Sequence, residues 1–250
     1  MECVVLTLFP EFVDSFFKHG IIGRAFKNKL ISGKSVDIRS FATDTHKTVD
    51  DKPYGGGCGM VMKPEILDSA IIHTKKNHPG SKVLLMTPQG VPFDQKKAQN
   101  LAVNNKNLIL ICGRYEGIDE RVCQKHVDEE ISMGDFVMTG GELSAMAVID
   151  SVARLISGVL GGEQSAEFDS FSNDRLEHNQ FTRPFEFEQK KVPEVLLSGN
   201  HKMIDEWRTR SSVITTFIKR PDLFSTKEPS KEEKEILKGL CQELEELVGN

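Results

Sequence analysis

The sequence predicts an α/β fold with a parallel sheet, followed by a small, mainly helical C-terminal domain. Three observations carry the prediction. Residues 4–8, 82–86 and 108–112 are short, nearly unbroken apolar runs, as strands buried on both faces are. Between the last two lie a glycine-bearing loop at 87–90 and a helix-like segment that Asp94 can cap, which is the spacing of a βαβ unit. Beyond Thr182 the periodicity turns helical and ends in a capping box, Ser230 with Glu233, ahead of Ile236, Leu237, Leu240, Leu244 and Leu247.

Taken in order, the strand at 4–8 is stopped by Phe9-Pro10, and short helices follow over 11–17 and 21–30. Residues 36–41 alternate and predict a strand with one wet face. The loop Lys52-Pro53-Tyr54-Gly55-Gly56-Gly57-Cys58-Gly59-Met60 can bring its backbone close to a phosphate, another backbone or another subunit. Pro64 suits the first position of a helix running to about Lys76. The run at 108–112 breaks at Gly113 into Arg114-Tyr115-Glu116. A second apolar piece, Phe136-Val137-Met138, reads as a strand ending in Gly140-Gly141. A helix opens there, with Leu143, Met146, Ala147, Val152, Leu155 and Ile156 mainly on one face, Arg154 near its far end and Gly158 closing it. Residues 161–178 are polar and acidic, as linkers and mobile functional loops are. The organisation expected is an α/β domain over 1–160, a flexible acidic linker over 161–178 and a helical domain over 179–250. Ligands of parallel sheets bind beyond the carboxyl ends of the strands, which gathers the loops 87–90, 113–117 and 139–141 into one cradle.

Composition narrows the function. With 250 residues, 28% charged and 38% hydrophobic, the chain can bury a sizeable core. No apolar run approaches the ~20 residues of a membrane span, and the start, Met-Glu-Cys-Val-Val-Leu, has no basic leader. The five cysteines form no C-x-x-C pair and suit reduced thiols in a cytoplasmic protein. The histidines are scattered without ligand spacing, so no metal is expected. A net charge of −5 argues against a nucleic-acid partner, yet the charge is uneven. Lys18, Arg24, Lys27, Lys29, Lys34 and Arg39 face one acid, Asp37, and a second basic stretch from Lys202 to Arg220 interleaves Trp207 and Phe217. Each run alone reads as a solvated helix face, and the two aromatics as core. Together the runs leave room for a phosphate-binding surface.

Missing fingerprints narrow it further. No G-x-G-x-x-G, phosphate loop or G-x-S-x-G motif is present, which disfavours dinucleotide, NTP and acyl-transfer chemistry. What remains is a neutral cradle of backbone, suited to an adenosine-like ligand with a short polar tail.

Several long strings carry a resemblance. They are Thr-Val-Asp-Asp-Lys-Pro-Tyr-Gly-Gly-Gly-Cys-Gly-Met (48–60), Pro-Gln-Gly (88–90) and Cys-Gly-Arg-Tyr-Glu-Gly-Ile-Asp-Glu-Arg (112–121). Gly-Asp-Phe-Val-Met-Thr-Gly-Gly-Glu-Leu (134–143), Ile-Asp-Ser-Val-Ala-Arg (149–154), Thr-Arg-Pro (182–184) and Leu-Leu-Ser-Gly-Asn-His (196–201) continue it. The chain resembles the bacterial tRNA (guanine-N1)-methyltransferases of the TrmD type, in order from the first strand to about residue 224. The resemblance implies the SPOUT class, whose α/β domain is tied in a deep trefoil knot at its cofactor end, and a homodimer with active sites shared between protomers. It implies transfer of a methyl group from S-adenosyl-L-methionine to N1 of the guanosine at tRNA position 37, beside the anticodon. The cradle would be Pro88, Gly113, Tyr115, Met133, Gly134, Asp135, Phe136, Val137, Met138, Gly140 and Gly141, with Glu116 as a nearby acid that favours a cationic cofactor.

In the same terms Asp169 matches the general base for the N1 proton, and Arg154 the cation for charge on the guanine O6. Without the resemblance Asp169 reads as one solvated loop acid among several, and Arg154 as an exposed residue near a helix C-terminus, where the dipole favours it. Glu177 stands where relatives often carry aspartate, Met133 where isoleucine is common, and Ser144 where proline is common. Two alternatives stay open: a SPOUT methyltransferase acting on another RNA, and a catalytically silent RNA-binding protein on the same scaffold.

Overall fold

The computed structural model describes residues 1–104, 107–162 and 168–249. The chain divides into two compact units, Met1–Glu163 and Gln164–Asn250.

The first unit opens with β1 (Glu2–Thr7), α1 (Pro10–Phe16), α2 (Gly20–Lys27) and β2 (Ser32–Asp37), which a 3-10 turn (Ile38–Phe41) follows. Two-residue strands β3 (Asp50–Asp51) and β4 (Val61–Met62) flank the glycine loop and pair with each other. Then come α3 (Pro64–Asn77), β5 (Lys82–Pro92), α4 (Gln95–Asn104), β6 (Asn107–Cys112), α5 (Glu120–His126), β7 (Glu129–Ser132) and α6 (Glu142–Ala153). Five strands form one parallel sheet in the order β2-β1-β6-β5-β7.

Alternation along the strands builds two cores, one on each face, because successive side chains point to opposite sides. Cys3, Val5, Leu84, Met86, Leu108, Leu110 and Cys112 face α1, α2, α4 and α6. Val4, Leu6, Val83, Leu85, Ile109 and Ile111 face α3 and α5. The central strands are therefore apolar on both sides, and the expected α/β class with a parallel sheet is what the first unit adopts. Ala145 and Ala153 of α6 are fully buried on the first face, where small side chains bring the helix close to the sheet.

Four local expectations are corrected. Residues 136–138 are not a strand: the edge strand is β7, and Gly134, at φ 136°, turns the chain out of the sheet. Phe136 and Val137 are consequently exposed. β5 runs past Met86 to Pro92, because a register shift between Met86 and Val91 lets the strand resume pairing with Ile131 and Ser132. The alternating stretch after Val36 closes into a 3-10 turn, whose backbone N–H at Arg39 donates to the Asp37 side chain. Finally, α6 ends at Ala153 rather than near Gly158, and tighter turns with bonds from Leu155 to Val152 and from Ile156 to Ala153 follow.

The second unit is mainly helical. A short hairpin of β8 (Glu186–Phe187) and β9 (Lys190–Lys191) precedes a 3-10 turn (Glu194–Leu197), α7 (His201–Lys219), α8 (Leu223–Thr226) and α9 (Lys231–Val248). Asn200 caps α7 through the Met203 N–H, and Ser230 and Glu233 form the expected capping box on α9. Trp207 is half-buried against His178 and Phe181, at centroid distances of 6.1 and 5.9 Å, and Phe217 is exposed beside Phe224. Neither aromatic is the full core residue expected.

Leu176 and Asn179, assigned by composition to the linker and the first position beyond it, are tied to α7. The Leu176 N–H donates to Thr216 Oγ1 at 2.9 Å, Ser212 Oγ to the Leu176 carbonyl at 2.5 Å and the Asn179 N–H to Ser211 Oγ at 3.1 Å. Residues 163–167 of the expected linker lie outside the described residues.

Candidate functional site

A cleft of about 450 Å³ opens at the irregularity in the middle of β5 and the carboxyl end of β6, within the range of roughly 300–1,000 Å³ common to small-ligand sites. Its walls are the bulge of β5 at Thr87-Pro88-Gln89, the loop from Gly113 to Ile118 and the segment from Phe136 to Gly141. All the expected cradle residues line it except Gly134 and Asp135, which turn the chain just outside. The Ser132 hydroxyl clasps that turn, with Oγ 3.1 Å from the Gly134 carbonyl and 3.2 Å from its N–H.

The walls meet through backbone. The Gly141 N–H donates to the Gly113 carbonyl at 3.1 Å, and Arg114 and Gly140 form an antiparallel bridge. A Cβ on Gly141 would lie 2.8 Å from the Cys112 Cα and 3.0 Å from the Met86 Cβ, so only glycine lets α6 start this close to β5 and the end of β6. Across Gly140 runs the Arg114 side chain, filling the place a Cβ would need.

Arg114 and Glu142 were not singled out by the sequence. The Arg114 guanidinium pairs with Glu142 through Nη2–Oε2 at 2.8 Å, while Nη1 donates to the Thr139 carbonyl at 3.1 Å. It also stacks 4.4 Å from the centre of the Phe9 ring. The Glu142 side chain is only 1% exposed and accepts a further bond from Thr7 Oγ1 at 2.7 Å. The available sequence signal was an acid in the first turn of a helix, which a surface dipole effect explains equally well. Nothing in the linear order joins that acid to Arg114 or Thr7.

Glu116 sits on the outer wall. Its N–H donates to the Met60 carbonyl at 2.9 Å, and the Met62 N–H returns a bond to Gly117 at 3.0 Å. Its carboxylate packs directly on Gly59. The glycine loop, which sequence left as a turn, a subunit contact or a ligand loop, thus buttresses the 113–117 loop. Tyr115 holds a left-handed backbone, φ 61°, a strain of about 1 kcal/mol or more that functional loops often keep. Burial, and then the charge of Glu142, push the Cys112 thiol well above its usual range, so it stays protonated and is no nucleophile.

With charge confined to the Arg114–Glu142 pair and two acids, Glu116 and Glu120, the cleft offers peptide groups and apolar side chains. Such walls fit the adenosine-like ligand expected. The glycine positions that a Cβ would obstruct support the fit. Among the described residues no cluster of His, Cys, Asp and Glu could hold a metal ion.

The two candidate reacting-end residues lie in different units. Arg154 caps the C-terminus of α6 in the first unit and is half-buried. Asp169 belongs to the second unit, also half-buried, and its carbonyl accepts from the Ser172 N–H at 3.1 Å. Glu177 is engaged locally: its side chain accepts from Gln180, and its N–H donates to Ser170 Oγ at 3.0 Å. In the second basic stretch, Arg208 pairs with Asp205, Arg210 with Glu243 and Arg220 with Asp222. That surface is less positive than a count of lysines and arginines suggests.

A model of the tRNA (Guanine-1)-methyltransferase TrmD family matches residues 1–226. The chain is 50% identical over 248 residues to the tRNA (guanine-N(1)-)-methyltransferase of Desulfatibacillum aliphaticivorans, an overlap of 99% of this chain and 94% of that protein. It is 50% identical over 250 residues to the protein of the same description from Pelotomaculum thermopropionicum, covering 99% of each. To that of Desulforamulus reducens it is 51% identical over 239 residues, covering 95% of this chain and 94% of that one.

The pair, in which Glu142 is buried and Arg114 half-buried, yields a stability test. Arg114→Met strands the Glu142 carboxylate, and the expected loss is about 3–5 kcal/mol, while Arg114→Met combined with Glu142→Leu recovers most of it. Urea unfolding measures both; a single variant within about 1 kcal/mol of the parent contradicts the role given to the pair.

Proposed function

Because this chain belongs to the family of tRNA (guanine-1)-methyltransferases, we propose that it acts on guanosine 37 of tRNA, using Asp169 and Arg154 on the base. It transfers a methyl group from S-adenosyl-L-methionine to N1 of a guanosine near the anticodon. The observation that supports a methyl-donor site is the backbone-walled cleft, which the chain closes with glycines where no Cβ fits; position 37 and the roles of Asp169 and Arg154 rest on the family.

S-adenosylmethionine supplies, when bound, a methyl group on a positively charged sulfur. The peptide groups of residues 113–117 and 136–141 would hold it, with Glu116 favouring the positive charge. N1 of guanine carries a proton and offers no free electron pair until that proton leaves. Asp169 takes the proton on its carboxylate, and electron density moves toward O6. The Arg154 guanidinium, always charged, stabilises that oxygen as its charge grows. Pro88, Phe136, Val137 and Met138 present apolar surface to the cleft and would keep water from the methyl group.

A homodimer with shared active sites belongs to this reading. Phe9 just before α1, Phe12 on α1, Val137 on the loop before α6 and Leu143 at its start are exposed apolar side chains, and α1 packs against α6. An apolar surface of this kind suits a self-complementary interface. The free cysteines support a cytoplasmic location, and no described helix is long and apolar enough to cross a membrane.

Asp169→Asn keeps the shape of the side chain and removes its basicity. The rate of methyl transfer is expected to fall by roughly 10²–10⁴-fold, with the affinity for S-adenosylmethionine changed less than about twofold. Single-turnover assays and calorimetry read the two quantities, and undiminished transfer would clear Asp169 of the role. Binding to tRNA is expected to weaken steadily as salt rises, because lysines and arginines displace counterions from phosphates. A flat response between about 50 and 200 mM salt would remove the basic stretches from the interface.

A further inference from the structure

Arg175 is the one arginine classed as buried among the described residues, and the chemistry above makes no use of it. It stands six places after Asp169, in a loop that folds back on itself. The Phe171 N–H donates to the Arg175 carbonyl at 2.7 Å, the Ser172 N–H to the Asp169 carbonyl at 3.1 Å and the Asp174 N–H to the Phe171 carbonyl at 3.3 Å. Phe171 and Asp174 both hold left-handed backbone, φ 71° and 61°. A loop with two strained non-glycine residues persists only where its surroundings over-determine it.

The Arg175 guanidinium supplies that determination. Nε donates to Glu233 Oε1 at 2.6 Å, and Nη2 to Glu233 Oε2 at 3.3 Å and the Lys227 carbonyl at 3.1 Å. Nη1 donates to the carbonyls of Asp174 and Leu223 at 2.9 and 3.1 Å. All five N–H groups are used, and the cation lies 4.1 Å from the centre of the Phe224 ring. Glu233 is the capping-box acid of α9, and also accepts from the Ser230 N–H at 2.7 Å. Burial pushes its carboxyl up, but the bonds from Arg175 and the Ser230 backbone more than offset this and hold it below its usual range. A lysine has three donors on a point charge and cannot reproduce the fork.

We propose that Arg175 is a positioning residue for methyl transfer: it anchors the loop bearing Asp169 to the corner between α8 and α9, so that the carboxylate is already placed when tRNA arrives. The inference rests on Asp169 being the base. A residue that merely stapled the helical unit would change stability and tRNA affinity, but not the rate at saturation.

The test uses the full chain with Arg175→Lys, Arg175→Ala, Glu233→Gln, Asp169→Asn and the double variant Arg175→Ala/Asp169→Asn. Single-turnover rates are measured with tRNA and S-adenosylmethionine saturating, beside tRNA binding and circular dichroism. Arg175→Lys is expected to slow transfer about 10-fold and Arg175→Ala about 100-fold, the loss that a misplacement of about 1 Å brings. Affinity for tRNA stays within about threefold, and Arg175→Ala adds less than about twofold once Asp169 is already asparagine. Should Arg175→Ala lose its helical signal, the lysine and Glu233→Gln variants, which keep the anchor partly filled, decide by the same saturated rate. Rates within about twofold of the parent, with weakened tRNA binding or a lowered unfolding midpoint, overturn the proposal, as does a full multiplicative loss in the Asp169→Asn background. Asp169→Asn at full speed removes the base assignment and this proposal with it. A slow Asp169→Asn beside full-speed Arg175 variants removes this proposal alone.

Discussion

The ion pair between Arg114 and Glu142 joins the loop after β6, the first turn of α6 and, through Thr7, the end of β1. Two charges in a nearly dry place are tolerable only when each has the other and further hydrogen bonds. Here Thr7, the Thr139 carbonyl and the Phe9 ring supply them. Because Arg114 crosses over Gly140, and Gly141 touches Cys112 and Met86, the two main walls of the cleft cannot move apart separately. Where a binding site relies on peptide groups, those groups cannot readjust as rotating side chains do. Its shape has to be set from behind, and this pair sets it.

The two units achieve order by different means. In the first, apolar strands are sealed on both faces, and polar contacts serve mainly at the strand ends. The second has few fully buried side chains and relies on hydroxyls of α7 and the guanidinium of Arg175 to hold an otherwise polar stretch. This division matches the chemistry proposed for each. Holding a methyl donor asks for a rigid cradle, while removing a proton from a base asks for one carboxylate held at a fixed place.

Much of the fold was legible because its signals are local. The apolar runs of β1, β5 and β6, the proline that starts α3 and the capping box of α9 each act within a few residues. Phe136-Val137-Met138 misled for the opposite reason. An apolar triplet looks the same whether it enters a sheet or lines a cleft, and the decision lay in the backbone of Gly134. Arg114, Glu142 and Arg175 were invisible as a class, because a charge withdrawn wholly or partly from water is recognised by its partners, and these partners lie 28 and 58 residues away. Asp169 and Arg154 had no intrinsic signal at all and are candidates only through the resemblance of the chain around them. Composition cast 161–178 as linker and left Leu176 undistinguished, since a residue paired with a helix hydroxyl and one in water are written the same way.

The central claim is that this chain methylates N1 of guanosine 37 from S-adenosylmethionine. The direct measurement supplies labelled S-adenosylmethionine and two unmodified tRNA transcripts that differ only in guanosine or adenosine at position 37. The account predicts label on the guanosine transcript, located at N1 of that base, and none on the other. Equal labelling of both, or label on neither, would contradict it.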